Sequence, residues 1–203
     1  MTAVGWLHHY LAFRRRVQVL ASVLSDVIPR DGTLLDVGCG DGTVASLIGT
    51  QRPDLSVSGL DVVARPASAI PVELFDGRTI PRADHAVDTV MLVDVLHHAD
   101  DPEGLLREAR RVARRAVVIK DHTREGVLAG PTLRFMDWVG NAPHGVARRY
   151  QYWSLAEWRA VFGRLGCRPS LWRDRLDLYP PPASWIFERR LHFLARLDLV
   201  VRG

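Results

Sequence analysis

The fold of this 203-residue chain is decided by residues 33–50, which read TLLDVGCGDGTVASLIGT. Thr33 to Val37 is a short apolar run typical of a buried strand, and Gly38 to Gly42 forms a glycine-rich turn. Thr43 to Thr50 then places apolar side chains at helical spacing, which predicts a helix. A strand, a glycine turn and a helix in this order predict the first unit of a parallel sheet with helices on its faces.

The chain continues this alternation as far as residue 122. Asp101 is a candidate N-cap and Pro102 a first helical residue, and the helix that they begin is predicted to reach about Arg114. Further apolar runs predict strands at Ser56–Val62, Val72–Phe75, Thr89–Val95 and Ala116–Lys120. The predicted class is therefore α/β, with a doubly wound, mostly parallel sheet and helices on both faces.

The segments around this core complete a single predicted domain. Residues 1–30 form an amphipathic N-terminal helical cap, residues 31–122 the core, residues 123–153 an insertion, and residues 154–203 a C-terminal helix with closing strands. The insertion after the fifth strand is long and rich in aromatic and polar side chains, as a ligand-covering segment would be. We predict a helical lid there, whose inner face lines the pocket.

The C-terminal part carries clear helix signals and weaker strand signals. Ser154 as N-cap and Glu157 three residues later form a capping box, and Gly166 ends the helix. Two closing strands are predicted near Leu171–Leu178 and Leu191–Leu197, on either side of a proline turn. They bring the predicted sheet to seven strands.

Composition excludes several classes of protein. The chain is 47% hydrophobic and 25% charged, which is typical of a folded globular domain and excludes collagen-like or disordered chains. Its two cysteines, Cys39 and Cys167, suggest no disulfide framework, so a cytoplasmic protein is expected. No apolar run approaches the roughly 20 residues of a membrane span. We expect a monomer or homodimer, and the net charge of +4 is small for a nucleic-acid-binding protein.

The glycine turn is a candidate cofactor site. Gly38, Gly40 and Gly42 allow positive φ and let a ligand approach the main chain at a helix N-terminus. Their spacing lacks the wider final gap of the dinucleotide fingerprint. Asp36 and Asp41 would repel a pyrophosphate, so the turn suits a cationic ligand better.

Two more carboxylates follow the next strands. Asp61 ends the second predicted strand, where an acidic side chain can accept hydrogen bonds from both hydroxyls of a ribose. Asp76 follows the third predicted strand, at a position that can recognise an exocyclic amine. Together with the glycine turn, these carboxylates predict a nucleoside-containing, positively charged ligand.

These motifs resemble the class I, seven-strand S-adenosylmethionine-dependent methyltransferases, within them the small type found in quinone biosynthesis. The resemblance is carried by DVGCGDG at residues 36–42, GLDV at residues 59–62, the stretch at residues 75–112 and the strand at residues 116–120. It implies S-adenosylmethionine as cofactor, with its methionine part on the glycine turn, its ribose on Asp61 and its adenine beside Asp76. The residues implied in cofactor binding are Asp36, Gly38, Cys39, Gly40, Asp41, Gly42, Asp61, Val62, Asp76, Gly77, Val93 and Asp94.

The chain departs from the family at one turn. Members usually have Pro-Gly-Gly between the fourth helix and the fifth strand, whereas residues 112–115 here read VARR. This departure predicts a tighter turn or a longer helix. The turn lies at the sheet edge opposite the cofactor, so the donor site is not affected.

Candidate acceptor residues follow the fourth and fifth strands. His122 and His144 are the candidate catalytic residues, because a neutral imidazole can remove a proton from a hydroxyl or amine acceptor. Asp121 could orient the imidazole of His122, although neighbouring strand residues point to opposite faces. His97 and His98 fit a structural, cofactor-lining or catalytic role equally well.

Two further alternatives concern the same edge. Lys120, the only lysine of the chain, could end its strand in solvent or take part in the site. His97, His98, Asp121 and His122 are residue types that bind metals. Methyl transfer from a sulfonium does not need a metal, so no metal site is expected.

The expected function is methyl transfer to a small-molecule acceptor. The additions to the core are short and the insertion is apolar and aromatic, which favours a small ligand over a macromolecule. One alternative is an RNA or protein methyltransferase, which the scattered arginines favour weakly. Another is a cofactor-binding protein that does not transfer methyl, because cofactor binding does not imply turnover.

Overall fold

Seven strands form one sheet in the order β3-β2-β1-β4-β5-β7-β6. The computed structural model describes residues 3–141 and 151–199, and the side chains of residues 14–138 and 151–199. The strands are β1 (Gly32–Val37), β2 (Leu55–Asp61), β3 (Val72–Leu74), β4 (Val87–Val93), β5 (Ala113–His122), β6 (Leu171–Arg173) and β7 (His192–Asp198). The pairs among β1 to β5 are parallel, and β7 pairs antiparallel with both β5 and β6.

Helices pack on both faces of this sheet. They are α1 (Ala3–Ser25), α2 (Thr43–Gln51), a 3₁₀ turn (Leu96–His98), α3 (Pro102–Val112), α4 (Ala129–Asn141), α5 (Leu155–Arg164) and α6 (Ser184–Phe187). Buried side chains of α1 and α2 share one core cluster, and those of α3 and α5 share another. The predicted α/β class, with a seven-stranded and mostly parallel sheet, is confirmed.

The central strands are buried on both faces, which explains their continuous apolar sequence. In β4, Val90 and Leu92 join the cluster of α3 and α5, while Met91 between them joins the cluster of α1 and α2. Val117 and Val118 of β5 separate in the same way. Alternate strand residues point to opposite faces, so consecutive residues in the middle of these strands enter opposite cores.

The junction between α3 and β5 is shorter than predicted. The helix ends at Val112, and β5 begins at the next residue, Ala113, which has an extended backbone at φ −76° and ψ 139°. The prediction that this helix reaches about Arg114 is therefore wrong. Of the two alternatives, a tighter turn or a longer helix, the structure has the tighter turn. Arg114 is exposed on the strand, where its guanidinium binds Asp88 at 2.7 Å.

The C-terminal strands also differ from expectation. Strand β6 covers only Leu171–Arg173, so the prediction of a strand as far as Leu178 is wrong. Leu176 and Leu178 are buried all the same, in the cluster of α1 and α2. Their apolar side chains therefore reflect packing on this face and not strand pairing.

The insertion after β5 contains the predicted helix, α4. Leu133 of α4 is fully buried in a small cluster with Ala129, Tyr152 and Leu191. Residues 142–150, which include His144, lie outside the described part of the chain. The role of the insertion as a lid stays a prediction.

Among the helices that the structure describes, none has the length and apolar character needed to cross a membrane.

Candidate functional site

A cavity of about 850 Å³ opens at the carboxyl ends of the parallel strands. This is the edge at which open α/β sheets bind ligands. Eight of the twelve predicted cofactor residues line it: Gly38, Gly40, Asp41, Asp61, Val62, Asp76, Gly77 and Asp94. The other four, Asp36, Cys39, Gly42 and Val93, do not contribute to the lining. The structure thus gathers predicted residues from four separate segments around one space.

A larger cleft of about 1110 Å³ lies elsewhere, beside α5, and its lining includes Arg110, Arg159 and Arg168. It contains no predicted site residue of the described part of the chain. The predicted carboxylates and glycines meet at the smaller cavity, which is therefore the candidate ligand site.

The three glycines of the turn meet different structural requirements. All three have positive φ, at 77° for Gly38, 59° for Gly40 and 74° for Gly42. A Cβ on Gly38 would lie 2.5 Å from Val95 Cγ2, and one on Gly42 would lie 2.5 Å from Ile70 Cγ1. A Cβ on Gly40 would meet no described atom within 4 Å. Gly38 and Gly42 therefore permit packing, whereas Gly40 leaves open space in the cavity wall.

Asp61 holds the glycine turn in place. Its Oδ2 accepts a hydrogen bond of 2.7 Å from the Gly40 amide, and its Oδ1 accepts one of 2.9 Å from the Val63 amide. The side chain therefore joins the end of β2 to the turn after β1. Because it also lines the cavity, the same carboxylate is placed to contact a ligand.

Asp36 lies beneath the turn and is only 3% exposed. Its burial, together with the negative charge of Asp61, raises the pKa of Asp36 to about 7. Its Oδ1 has no hydrogen-bond partner within the described residues. A cation in the cavity would favour the ionised form of this carboxyl group.

Asp76 is exposed at the cavity wall and is shaped by its own loop. Its Oδ1 accepts hydrogen bonds of 2.8 Å from the amides of Arg78 and Thr79. These bonds lower the pKa of Asp76 below 3.8, so the side chain is a carboxylate at neutral pH. An ionised acceptor at this position suits an amine-bearing ligand.

We expect Asp61→Ala to weaken binding of S-adenosylmethionine by about 1 to 3 kcal/mol, because charge-assisted hydrogen bonds are lost. The loss includes contacts to the ligand and the bond that orders Gly40. Calorimetric titration with the donor measures the effect. Asp26→Ala, which removes an exposed carboxylate before β1, is the matched control and should bind normally. Unchanged affinity in Asp61→Ala would remove this residue from the site.

A buried ion pair occupies the ends of β4 and β5. Lys120 is fully buried, and its Nζ lies 2.5 Å from Asp94 Oδ1. Arg16 of α1 contacts the other carboxylate oxygen at 3.2 Å. Burial alone would raise the pKa of Asp94, but the charges of Lys120 and Arg16 hold it well below 3.8. Lys120 therefore does not reach solvent, and of the two alternatives the structure places it beside the cavity.

Asp121 orients His97 and not His122. Its Oδ1 lies 2.6 Å from His97 Nδ1, whereas from His122 it accepts a hydrogen bond of 2.7 Å from the backbone amide and not from the imidazole. Burial by itself lowers the pKa of His97, but Asp121 and Asp137 together raise it to about 10. The expectation that Asp121 orients His122 is wrong.

His122 is oriented by the main chain. Its Nδ1 lies 3.2 Å from the Leu191 carbonyl oxygen, so the proton is on Nδ1 and the lone pair on Nε2. Burial, together with the charge of Lys120, lowers the pKa of His122 to about 4. Its Nε2 lies 3.4 Å from Asp94 Oδ1, and Asp94 lines the cavity. His122 itself is not part of the lining.

Sequence reasoning missed part of the cavity wall. The loop after β2 contributes Val63, Arg65, Pro66 and Ala67, and the segment after β4 contributes Val95, Ala99 and Asp100 beside His98, which the sequence already indicates as a candidate lining residue. Both segments follow strands that end at the ligand edge of the sheet. That position is a signal that could have identified them, although loop side chains carry no periodic pattern.

The fold is that of the Rossmann-like methyltransferases. A family model described as a methyltransferase domain matches residues 7–169, and the chain belongs to this family. The fold and the family imply S-adenosylmethionine as the methyl donor. The small quinone-biosynthesis type is a finer prediction that stays open.

Two solved structures show the same fold. A methyltransferase in complex with the Trm112 methyltransferase activator of Haloferax volcanii has a TM-score of 0.68 at 17% identity, covering 91% of this chain and 90% of the other. An S-adenosylmethionine-dependent methyltransferase of Thermotoga maritima has a TM-score of 0.67 at 17% identity, covering 96% and 94%.

One curated protein is related in sequence over part of its length. It is an uncharacterised 37.1 kDa protein of transposon TN4556 of Streptomyces fradiae, 36% identical over 106 residues. The match covers 46% of this chain and 31% of that protein. The chain thus spans less than a third of the length of this relative.

Proposed function

We propose that this methyltransferase transfers the methyl group of S-adenosylmethionine to a small-molecule acceptor in the 850 Å³ cavity. One observation carries the proposal. Asp94 and His98, which follow β4, line the same cavity as the glycine turn and Asp61. A donor held by the predicted cofactor residues that line the cavity would therefore have polar groups beside its methyl end.

The reaction is an in-line displacement at the methyl carbon. The acceptor atom forms a bond to this carbon, the bond to sulfur breaks, and the sulfur keeps the electron pair and leaves as a neutral thioether. Alignment of the acceptor supplies much of the rate. A hydroxyl or amine acceptor must also lose a proton, and a nearby base accelerates that step.

We propose His122 as this base. At neutral pH it is an uncharged imidazole, its Nδ1 proton is directed to the Leu191 carbonyl, and its Nε2 lone pair faces Asp94. Nε2 is one side chain away from the cavity, so a water molecule or a movement of Asp94 would connect it to the acceptor. His144, in the segment outside the described residues, remains the second candidate.

The cavity and the insertion together favour a small acceptor. Helix α4 packs on the ends of the strands through Leu133, while Phe135 and Trp138 are 52% and 54% exposed. Exposed aromatic side chains on the insertion favour a small organic acceptor over a macromolecule. The same residues would form the outer face of the proposed lid.

The test is transfer of label from methyl-labelled donor. The purified chain is incubated with separate fractions of small molecules, RNA and protein, and each fraction is analysed by mass spectrometry. Label in the small-molecule fraction supports the proposal. Label confined to RNA or protein assigns a macromolecular acceptor, and donor binding without any transfer assigns a cofactor-binding protein.

We expect His122→Gln to lower turnover about 100-fold or more while leaving donor affinity normal, because glutamine keeps polarity but cannot take up the proton. His85→Gln replaces an exposed histidine in the turn before β4 and is the matched control. His144→Gln tests the second candidate in the same assay. Normal turnover in both His122→Gln and His144→Gln would mean that the site acts by positioning alone.

A further inference from the structure

Two histidines and one aspartate come together beside the cavity, and none of them is a proposed base or a predicted cofactor residue. They are His97 and His98 of the 3₁₀ turn and Asp137 of α4, and one ligand atom from each lies within 4.8 Å of the others. The imidazole rings of His97 and His98 have centroids 4.0 Å apart. The core and the insertion thus contribute to one cluster of metal-binding side chains.

His97 presents one nitrogen to this cluster. Its Nδ1 is engaged by Asp121 at 2.6 Å, which leaves Nε2 facing Asp137 Oδ2 at 3.4 Å. Nε2 has no hydrogen-bond partner in the described part of the chain, although the side chain is only 2% exposed. A buried nitrogen that has an ion-pair contact of 3.4 Å but no hydrogen bond points to a further ligand such as an ion or a water molecule.

The groups around the cluster hold its members in position. A carboxylate on the far nitrogen of a histidine, as Asp121 is on His97, is the usual second-layer contact of a metal-bound imidazole. Asp137 is itself 8% exposed, and its Oδ2 accepts a hydrogen bond from the Tyr152 hydroxyl. Both side chains are therefore oriented before any ion binds.

The donor set selects the class of ion. Two imidazoles and one carboxylate favour divalent first-row transition metals, whereas Mg²⁺ and Ca²⁺ prefer oxygen ligands alone. We propose that His97, His98 and Asp137 bind one divalent transition-metal ion, with Asp121 as a positioning residue for His97. Three protein ligands leave coordination positions open. Because His98 lines the cavity, such an ion would lie at the edge where the acceptor is expected.

The set of metal-binding residues considered from the sequence differs from the set that the structure brings together. The set His97, His98, Asp121 and His122 does not form, because Asp121 is bound to the outer nitrogen of His97. His122 Nε2 lies 4.0 Å from Asp137 Oδ1, next to the cluster. Asp137 supplies the carboxylate that the sequence pattern could not identify.

The test is titration of the full, metal-free chain with Co²⁺, followed by competition with Zn²⁺. We expect one ion per chain and visible absorption bands of Co²⁺ with nitrogen ligands. Asp121→Asn keeps all three ligands and should weaken binding about 10- to 100-fold, as loss of an outer carboxylate does. His98→Gln and Asp137→Asn remove a ligand and should weaken it further. His85→Gln and Asp26→Asn, at exposed positions, are the controls and should bind normally.

Two outcomes of the titration would overturn the proposal. His98 is half-buried, so His98→Gln should keep the fold, which its circular dichroism spectrum checks. Absence of stoichiometric binding by the parent chain, or undiminished affinity in folded His98→Gln, rejects the site. The titration needs neither donor nor acceptor, so its failure would leave the proposed methyl transfer standing, and failure of methyl transfer would leave the metal site standing.

Discussion

Gly40→Val should abolish detectable binding of S-adenosylmethionine while leaving a folded protein. Gly40 lines the cavity, and a Cβ at this position meets no described protein atom within 4 Å. The valine side chain would therefore enter the space that the donor needs. We expect affinity to fall at least about 100-fold, which equals about 2.7 kcal/mol. Calorimetric titration with the donor measures the loss, and thermal unfolding checks the fold.

A second glycine separates lost space from backbone strain. Valine at positive φ costs about 1 to 2 kcal/mol of stability wherever it is placed. Gly166 after α5 has φ +63°, close to the +59° of Gly40, and a Cβ there also meets no described atom within 4 Å. Gly166→Val should therefore lose similar stability and bind the donor normally. If Gly40→Val also bound the donor normally, the turn would be structural only.

Asp94→Asn should cause the largest loss of stability among substitutions at the site. The carboxylate is the counter-ion of the fully buried Lys120, and its removal leaves that ammonium without compensation. Removing one partner of a buried ion pair costs about 3 to 5 kcal/mol. Chemical denaturation of parent and variant at pH 7 measures the difference in free energy of unfolding.

The reverse substitution provides the control. Lys120→Met leaves Asp94 in contact with Arg16 at 3.2 Å and 24% exposed, so its remaining charge is partly compensated. We therefore expect Lys120→Met to lose less stability than Asp94→Asn, and the double variant to recover part of the loss. Equal losses in the two single variants would show that the ion pair is not the cause.

The pH dependence of Asp94→Asn follows from the burial of Lys120. Burial lowers the pKa of Lys120 below 10.5 even in the parent chain, and without Asp94 it should fall further. A folded-state pKa below the unfolded value favours the neutral amine in the fold. The stability deficit of the variant should therefore shrink as pH rises toward 10.5, and a deficit that grows over this range would contradict the assignment.

Much of the cavity lining could be predicted because its signals are local. The glycine turn and the carboxylates Asp61 and Asp76 each follow a strand directly, and parallel strands end at one edge of the sheet. Their meeting in one cavity follows from strand order alone. The ends of β6 and of α3 could not be predicted from the sequence. In β6 the reason is that buried loop residues such as Leu176 are apolar, as strand residues are.

The sequence by itself determined the α/β class, the succession of the first five strands along the chain and the turn that faces the cavity. Periodicity and turn chemistry are short-range properties, so a local pattern is enough to identify them. Only the tertiary structure decided the partners of the polar side chains. Arg16 reaches Asp94 across 78 positions of sequence, and Asp121 binds the imidazole of His97 and not that of its neighbour His122. Such pairings depend on which face each side chain takes and on which distant elements pack against that face, and neither is encoded in a local pattern.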